Sequence, residues 1–190
     1  VNLRSRPNYE NRDNREVLLG PDSQLLGTLF QTDIRDQDEQ SFSTNLSYST
    51  GSHRMQLNAL ISDGDHPRAI HRDFVDFTGT EVVNSAQEEQ IENEESNWEI
   101  GGDYEYNFDN SSRLSVLFLA NDEVRNSVRE RFEADPTDAG LSKNLFIDSR
   151  SERQEFIVQT NYNFSVNDAQ SLRAGFEFAD TQLDSSLLIG

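Results

Sequence analysis

Between Trp98 and Phe108 the even positions Trp98, Ile100, Tyr104, Tyr106 and Phe108 are apolar or aromatic, while the odd positions Glu99, Asp103, Glu105 and Asn107 are polar. A period of two puts the two sets on opposite faces of a β-strand, and aromatic side chains favour the same assignment. The turn formers Asp109-Asn110-Ser111-Ser112 follow, and alternation resumes with Leu114, Val116 and Phe118, although Leu117 and Leu119 blur the other face. The spacing predicts a hairpin, and the same design recurs. Phe156, Val158, Thr160, Tyr162, Phe164 and Val166 stand against Gln159, Asn161 and Asn163. After Asn167-Asp168-Ala169-Gln170, Leu172, Ala174, Phe176 and Phe178 alternate with Arg173, Gly175 and Glu177. Earlier, Phe42, Leu46 and Tyr48 lead through Thr50-Gly51-Ser52 to Met55, Leu57, Ala59 and Ile61, set against Arg54, Gln56 and Asn58.

The hairpins are separated by long polar stretches, Ser62 to Ser96 and Asn121 to Ser149, the first crowded with Glu88, Glu89, Glu92, Glu94 and Glu95. Loops beyond about 15 residues are uncommon in compact domains, so short turns alternating with long connections are an unusual layout. Part of the second stretch, Val124 to Phe132, is expected to extend its strands. Residues 13 to 40 are apolar without clean alternation around Val17-Leu18-Leu19 and Leu25 to Phe30, and one strand is expected there. No helical period is sustained, so the fold class is all-β, an antiparallel meander. Strands of about 10 residues leave room for about six to eight of them. The expectation is strands in sequence order, twisted and curved, with two unpaired edges. Tyr104, Tyr106, Tyr162 and Phe176 should share the convex face, and Glu105, Asn161 and Glu177 the concave one.

Composition sharpens this picture. A net charge of -19 with 34% hydrophobic residues would by itself suggest a solvated or disordered chain, but the charge is gathered between the apolar segments rather than mixed into them. No stretch approaches the roughly 20 apolar residues of a membrane-spanning helix, which leaves a membrane β-barrel untouched as an alternative. Absence of cysteine excludes disulfides and thiolate metal sites. Lys143 is the single lysine, and so acidic a chain disfavours nucleic acid as a partner. The chain opens on Val1 without a basic-then-apolar leader and closes on the apolar Leu187-Leu188-Ile189-Gly190, as expected of a piece excised from something longer.

Alternation alone fits a soluble sandwich packed through its apolar face as well as a membrane barrel. Charge-free apolar faces and short turns sorted against long connections favour the barrel, as do the aromatics Tyr104, Tyr106, Phe108, Tyr162 and Phe164 gathered at the short-turn ends. That topology would put the turns at Gly51, Asn110 and Asp168 on the periplasmic side and the long connections outside the cell.

The layout from Trp98 to Phe108, a short turn, Leu114 to Val124, Arg131-Phe132-Glu133-Ala134-Asp135 and a return beginning Ser149-Arg150-Ser151-Glu152-Arg153 resembles the barrels of TonB-dependent outer-membrane receptors. Val1-Asn2-Leu3-Arg4-Ser5-Arg6-Pro7 resembles the Val-Asn-Ile/Leu-x-Thr-Arg-x-Pro stretch that closes the plug of such receptors, with Ser5 for Thr and one residue fewer before Pro7. The resemblance implies that residues 1–15 are the end of a plug domain and its linker, and residues 16–190 the N-terminal part of an incomplete β-barrel. It further implies an active transporter in the outer membrane of a Gram-negative bacterium, taking up an iron chelate, a cobalamin-like cofactor or an oligosaccharide. Its partners would be outer-membrane lipid, an extracellular small-molecule ligand and the TonB complex, the last through a segment outside this chain. The alternatives are a soluble secreted β-sandwich used for adhesion or glycan binding, and a small passive porin-like barrel.

Few residues invite chemistry. His66 and His71 stand five apart, a spacing that fits no common zinc pattern and is read as solvated histidines. Asp63-Gly64-Asp65 resembles part of a calcium loop without its remaining ligands. The Glu88 to Glu95 run is read as solvated surface. Glu99, Asp103, Glu105, Gln159, Asn161, Arg173 and Glu177 are expected to line a wet lumen. No catalytic, cofactor or metal-ligating residue is assigned, no cofactor is expected, ligand-contact residues are unassigned, and no enzyme is expected.

Overall fold

A computed structural model describes residues 1–134, 140–167 and 170–190, and they form one antiparallel sheet without helix. The strands are β1 (Asn2–Ser5), β2 (Asn8–Leu19), β3 (Leu25–Thr50), β4 (His53–Asp65), β5 (Arg68–Asp76), β6 (Val83–Asn107), β7 (Arg113–Ala134), β8 (Leu141–Asn167) and β9 (Gln170–Ile189). Two of the boundaries are proline breaks inside single strands. β1 and β2 keep one register along β3, from Asn2↔Ser43 to Asn8↔Gln37, and β4 and β5 keep one register along both β3 and β6. Pro7 and Pro67 have no N–H to give the ladder, so pairing lapses there while the line continues, held by Arg6 N donating to Glu39 O at 2.8 Å and His66 N to Asn93 O at 2.8 Å. With these joined, the strands lie side by side in sequence order, and among the described residues β9 does not return to β1.

The hairpin expectations hold at Gly51, whose φ of 48° suits a tight turn, and at Asp109 to Ser112, where Ser111 adopts φ 63° and Asn110 Oδ1 accepts from Ser112 N at 3.1 Å. The turn over Asp168 lies outside the described residues. Two expectations need correction. Residues 13 to 40 hold two strands, the ends of β2 and the start of β3, joined at Gly20–Gln24, where Gly20 N donates to Gln24 O at 2.8 Å. The apolar pair Leu19 and Leu25 sits at that tip and hid the break. Residues 1–15 run along β3 as β1 and the first part of β2. The connection Ser62 to Ser96 is no loop either: β4, β5 and β6 fill it apart from His66–Pro67 and residues 77–82. Strand continues likewise through Asn121 to Ala134, including Val124 to Phe132, and from Leu141 onward. Acidic composition masked strands whose two faces are both polar.

Tyr104, Tyr106, Tyr162 and Phe176 fall on one face by alternation and register, and Glu105, Asn161 and Glu177 on the other, as expected. The first face carries a band that crosses the whole sheet: Leu3, Phe42, Leu46, Tyr48, Met55, Ile61, Trp98, Ile100, Phe156, Phe176 and Phe178 are all exposed, and Ile70 is the one buried hydrophobic residue among those described. This sheet therefore has no core of its own. The lower rim of the band is a chain of rings running His53, Tyr106, Phe108, Tyr162 and Phe164, with successive centroids 4.7, 4.6, 5.9 and 5.6 Å apart.

Within the band, Gly102 sits between Leu57 and Phe118. A Cβ there would lie 2.6 Å from Gln56 O, 2.7 Å from Leu57 Cδ2 and 3.0 Å from Phe118 Cε1, whereas at Gly101 the nearest atom is 3.3 Å away. Gly102→Ala is expected to destabilise by about 2 kcal/mol and Gly101→Ala by less, an order that thermal unfolding of the two variants would check.

Candidate functional site

Above the apolar band, away from the turns at Gly51 and Asp109 to Ser112, both faces become mostly polar, and alternation divides their charges. Glu88, Glu92 and Glu94 point to the face that bears the band; Glu89 and Glu95 point to the other. On the band face Asp38, Asp65 and Glu94 lie directly side by side across β3, β4 and β6, and none of the three has an ion-pair partner among the described residues. Arg15 and Arg150 excepted, every arginine lies on the opposite, polar face.

That polar face holds a buried, ion-paired side-chain cluster. Asp33 on β3, Ile70 on β5 and Glu89 on β6 form one row, and all three are buried. Asp33 accepts a two-pronged contact from Arg68, Nε to Oδ1 at 2.8 Å and Nη2 to Oδ2 at 2.8 Å, and a second from Arg35 Nη2 at 3.0 Å. Glu89 is held by Arg72 Nη1 on Oε2 at 2.9 Å and by Arg129, whose Nε lies 2.7 Å from Oε1. Arg72 also donates to Gln31 and Gln87, tying β3, β5 and β6 together.

The electrostatics follow from this geometry. The hydrogen bond from Arg68, joined by that from Arg35, holds the Asp33 carboxyl down from 3.8 to about 2 although burial pushes it up. Burial pushes Glu89 up too, yet the forks of Arg72 and Arg129 outweigh it and leave the carboxyl below its ordinary value. Asp33 in turn raises Arg68. The carboxylates form a buried layer, their side chains 8% and 2% exposed, beneath guanidinium groups that reach solvent.

The sequence candidates are placed differently. His66 and His71 fall on opposite faces and do not converge; His71 lies 3.2 Å from Asp73 and 3.7 Å from Glu88. Asp63-Gly64-Asp65 is plain strand, with both carboxylates on the band face. The solvated reading of the Glu88 to Glu95 run fails for Glu89, a buried member of the arginine cluster. Glu99, Asp103, Glu105, Gln159, Asn161, Arg173 and Glu177 share the polar face, with Gln159 Nε2 donating to Glu177 at 3.0 Å and Arg173 Nε to Asn161 at 3.1 Å. Asp33, Arg68, Arg72 and Arg129 were missed because contacts between strands such as Arg68 to Asp33, Arg72 to Gln31 and Arg72 to Glu89 join residues 17 to 41 positions apart that meet only through the strand register. A cleft of about 620 Å³ adjoins them at the strand tips, with Leu18, Leu29, Phe74, Val83 and Gln87 in its lining.

The chain matches no protein-family model and no curated protein. Among solved structures it is similar to BauA, the ferric preacinetobactin receptor from Acinetobacter baumannii, with a TM-score of 0.24 and 6% identity over 94% of this chain and 42% of that one. It is similar to the copper transporter OprC with a TM-score of 0.16 and 10% identity, over 95% of this chain and 42% of that one. The chain thus spans about two-fifths of the length of these structures. Likenesses this faint leave the functional reading to the chain's own geometry.

Because the folded pKa of Asp33 is depressed, its stabilising contribution is complete above the ordinary value of 3.8 and disappears as pH falls towards about 2. Asp33→Asn should therefore flatten the fall in unfolding temperature over that acid range, as read by thermal melts at a series of pH values.

Proposed function

We propose that this chain is a stretch of the wall of an outer-membrane β-barrel, with the banded face against lipid and the polar face lining a wet lumen. The observation that carries this reading is the band. From Trp98 to Tyr106 it takes up about 26 Å of strand at about 3.3 Å per residue. Its upper limit also drifts. The row Phe42, Ile61, Trp98, Asp122, Gln154, Gln182 is apolar on β3, β4 and β6 and polar from β7 to β9. On β9 the band begins only at Phe178, about four residues lower after five strand-to-strand steps, which corresponds to a strand tilt of about 30° for strands about 4.8 Å apart. A flat bilayer cuts a staggered barrel wall along just such a diagonal. At that tilt the band stands about 23 Å tall, close to the roughly 25 Å apolar zone of outer-membrane barrels.

A soluble sandwich would need a second layer over the exposed band, and among the described residues there is one sheet. The unpaired edges at β1 and β9 suit a wall continued by further strands. The family we favour is the TonB-dependent receptors. In that setting the chain belongs to an active transporter of the Gram-negative outer membrane for an iron chelate, a cofactor or an oligosaccharide. It would be energised through the TonB complex by a part of the protein outside this chain. No catalytic reaction is proposed. The acidic extensions of β3 to β8 beyond the band stand outside the cell in this arrangement.

Ile100→Arg or Tyr104→Arg places a cation in the lipid zone, at a cost of about 2–4 kcal/mol near mid-bilayer, and should block assembly, while Asp103→Arg should be tolerated. Heat-modifiable migration of the full-length protein from outer-membrane preparations reads this out, and equal tolerance on the two faces contradicts the lipid assignment. For orientation, Glu92→Cys should react with a membrane-impermeant thiol reagent on intact cells and Asn110→Cys should not; the reverse pattern inverts the topology.

A further inference from the structure

We infer that the arginine cluster on the polar face is a subsite for an oxyanionic ligand, one that presents carboxylate or phosphate groups to the guanidinium layer; this rests on the lumenal reading of that face. The arrangement is layered. Asp33 and Glu89 form the floor, and the exposed layer above them is cationic, with the side chains of Arg35, Arg68, Arg72 and Arg129 between 22% and 42% exposed. Asp33 and Glu89 each hold two guanidiniums, and Arg35 also lies 4.0 Å from Glu10, which pairs with Arg12; five arginines thus face three carboxylates, and the cluster keeps an excess of positive charge within a chain of net charge -19.

Ion pairing alone would need one arginine per carboxylate. The second arginine on each leaves donors to spare. Arg68 uses Nε and Nη2 on Asp33, Arg72 uses Nε and Nη1 on Gln31, Gln87 and Glu89, and Arg129 approaches Glu89 through Nε. Arg68 Nη1, Arg72 Nη2 and both Nη atoms of Arg129 have no hydrogen-bond partner among the described residues. Arg131, opposite Glu89 on β7, adds a further charge; its Nε donates to Asn144 Oδ1 at 3.0 Å and no described carboxylate lies within ion-pair distance. Guanidinium forks fixed from below by buried carboxylates lose little freedom on binding, and planar forks match the geometry of carboxylate and phosphate oxygens. A neutral polyol offers these donors no charge to neutralise.

The test uses the full-length protein purified in detergent, with propane-1,2,3-tricarboxylate as probe and its neutral triamide as control, followed by calorimetry at low and high salt. The tricarboxylate should bind at least about tenfold more tightly than the triamide, and its affinity should fall as salt rises. Arg131→Gln removes a charge without stranding a buried carboxylate and should weaken the tricarboxylate about tenfold while sparing the triamide. Arg129→Gln, which leaves Arg72 on Glu89, should do the same. Equal binding of the two probes, no binding of either, or indifference to both substitutions overturns the subsite. Those results in a protein that still migrates as a heat-modifiable outer-membrane barrel leave the transporter reading standing; loss of that migration in the unmodified protein removes the transporter reading itself.

Discussion

The arrangement of this molecule depends on an antiparallel register kept over most of each strand's length. A strand can show only two faces, and when neighbouring strands keep the same pairing over their whole length, the face chosen by one residue fixes the face of every partner across the sheet. The sheet meets this condition through its middle and across both proline breaks, and its register shifts fall near strand ends, at Leu18/Leu19, Arg131/Phe132 and Ser165/Asn167. Pro7 and Pro67 each remove a donor, yet the pairing on either side of each break follows the same register. A slip of one residue at Pro67 would have carried Arg68 and Arg72 to the acidic face and brought Asp73 onto the polar one, dismantling the cluster around Asp33 and Glu89.

The same register explains why a sheet without a core can be one definite structure. Hydrophobic burial contributes little to holding this chain together, since many of its large apolar side chains are exposed and Ile70 is the one buried hydrophobic residue among those described. The order comes from the hydrogen-bonded ladder and from cross-strand side-chain pairs: the ring chain from His53 to Phe164 at one end of the band and the guanidinium-carboxylate forks well beyond the other. Between them lies a surface that water would cover only at a cost of about 25 cal/mol per Å² of apolar area, which is why something apolar must cover it in the working protein.

Charge too is divided between the faces. Carboxylates such as Asp38, Asp65 and Glu94 stand together uncompensated on the band face, where water can solvate them. Several carboxylates on the polar face are instead paired with arginine, among them Asp33, Glu89, Glu95 and Glu123. The run from Glu88 to Glu95 looks uniform in one dimension and is two surfaces in three.

The sequence by itself determined the strands that carry a clear period of two, the hairpins at Gly51 and Asn110, the rim aromatics and the division of Tyr104 from Glu105 and of Phe176 from Glu177. Hydrophobic alternation is a local property, and it was strong wherever one face was apolar. It was silent where both faces are polar, so Ser62 to Ser96 looked like a loop although the strand Arg68–Asp76 lies within it and the strand Val83–Asn107 begins there. It was also silent at residues 13 to 40, where apolar residues at a strand tip conceal the turn at Gly20. The Asp33, Arg68, Arg72, Glu89 and Arg129 cluster belonged to the tertiary structure alone. Its members come from four strands, and only the pairing register, which no local pattern of polar residues specifies, places a carboxylate from β3 and another from β6 on either side of Ile70 and within reach of the same row of arginines.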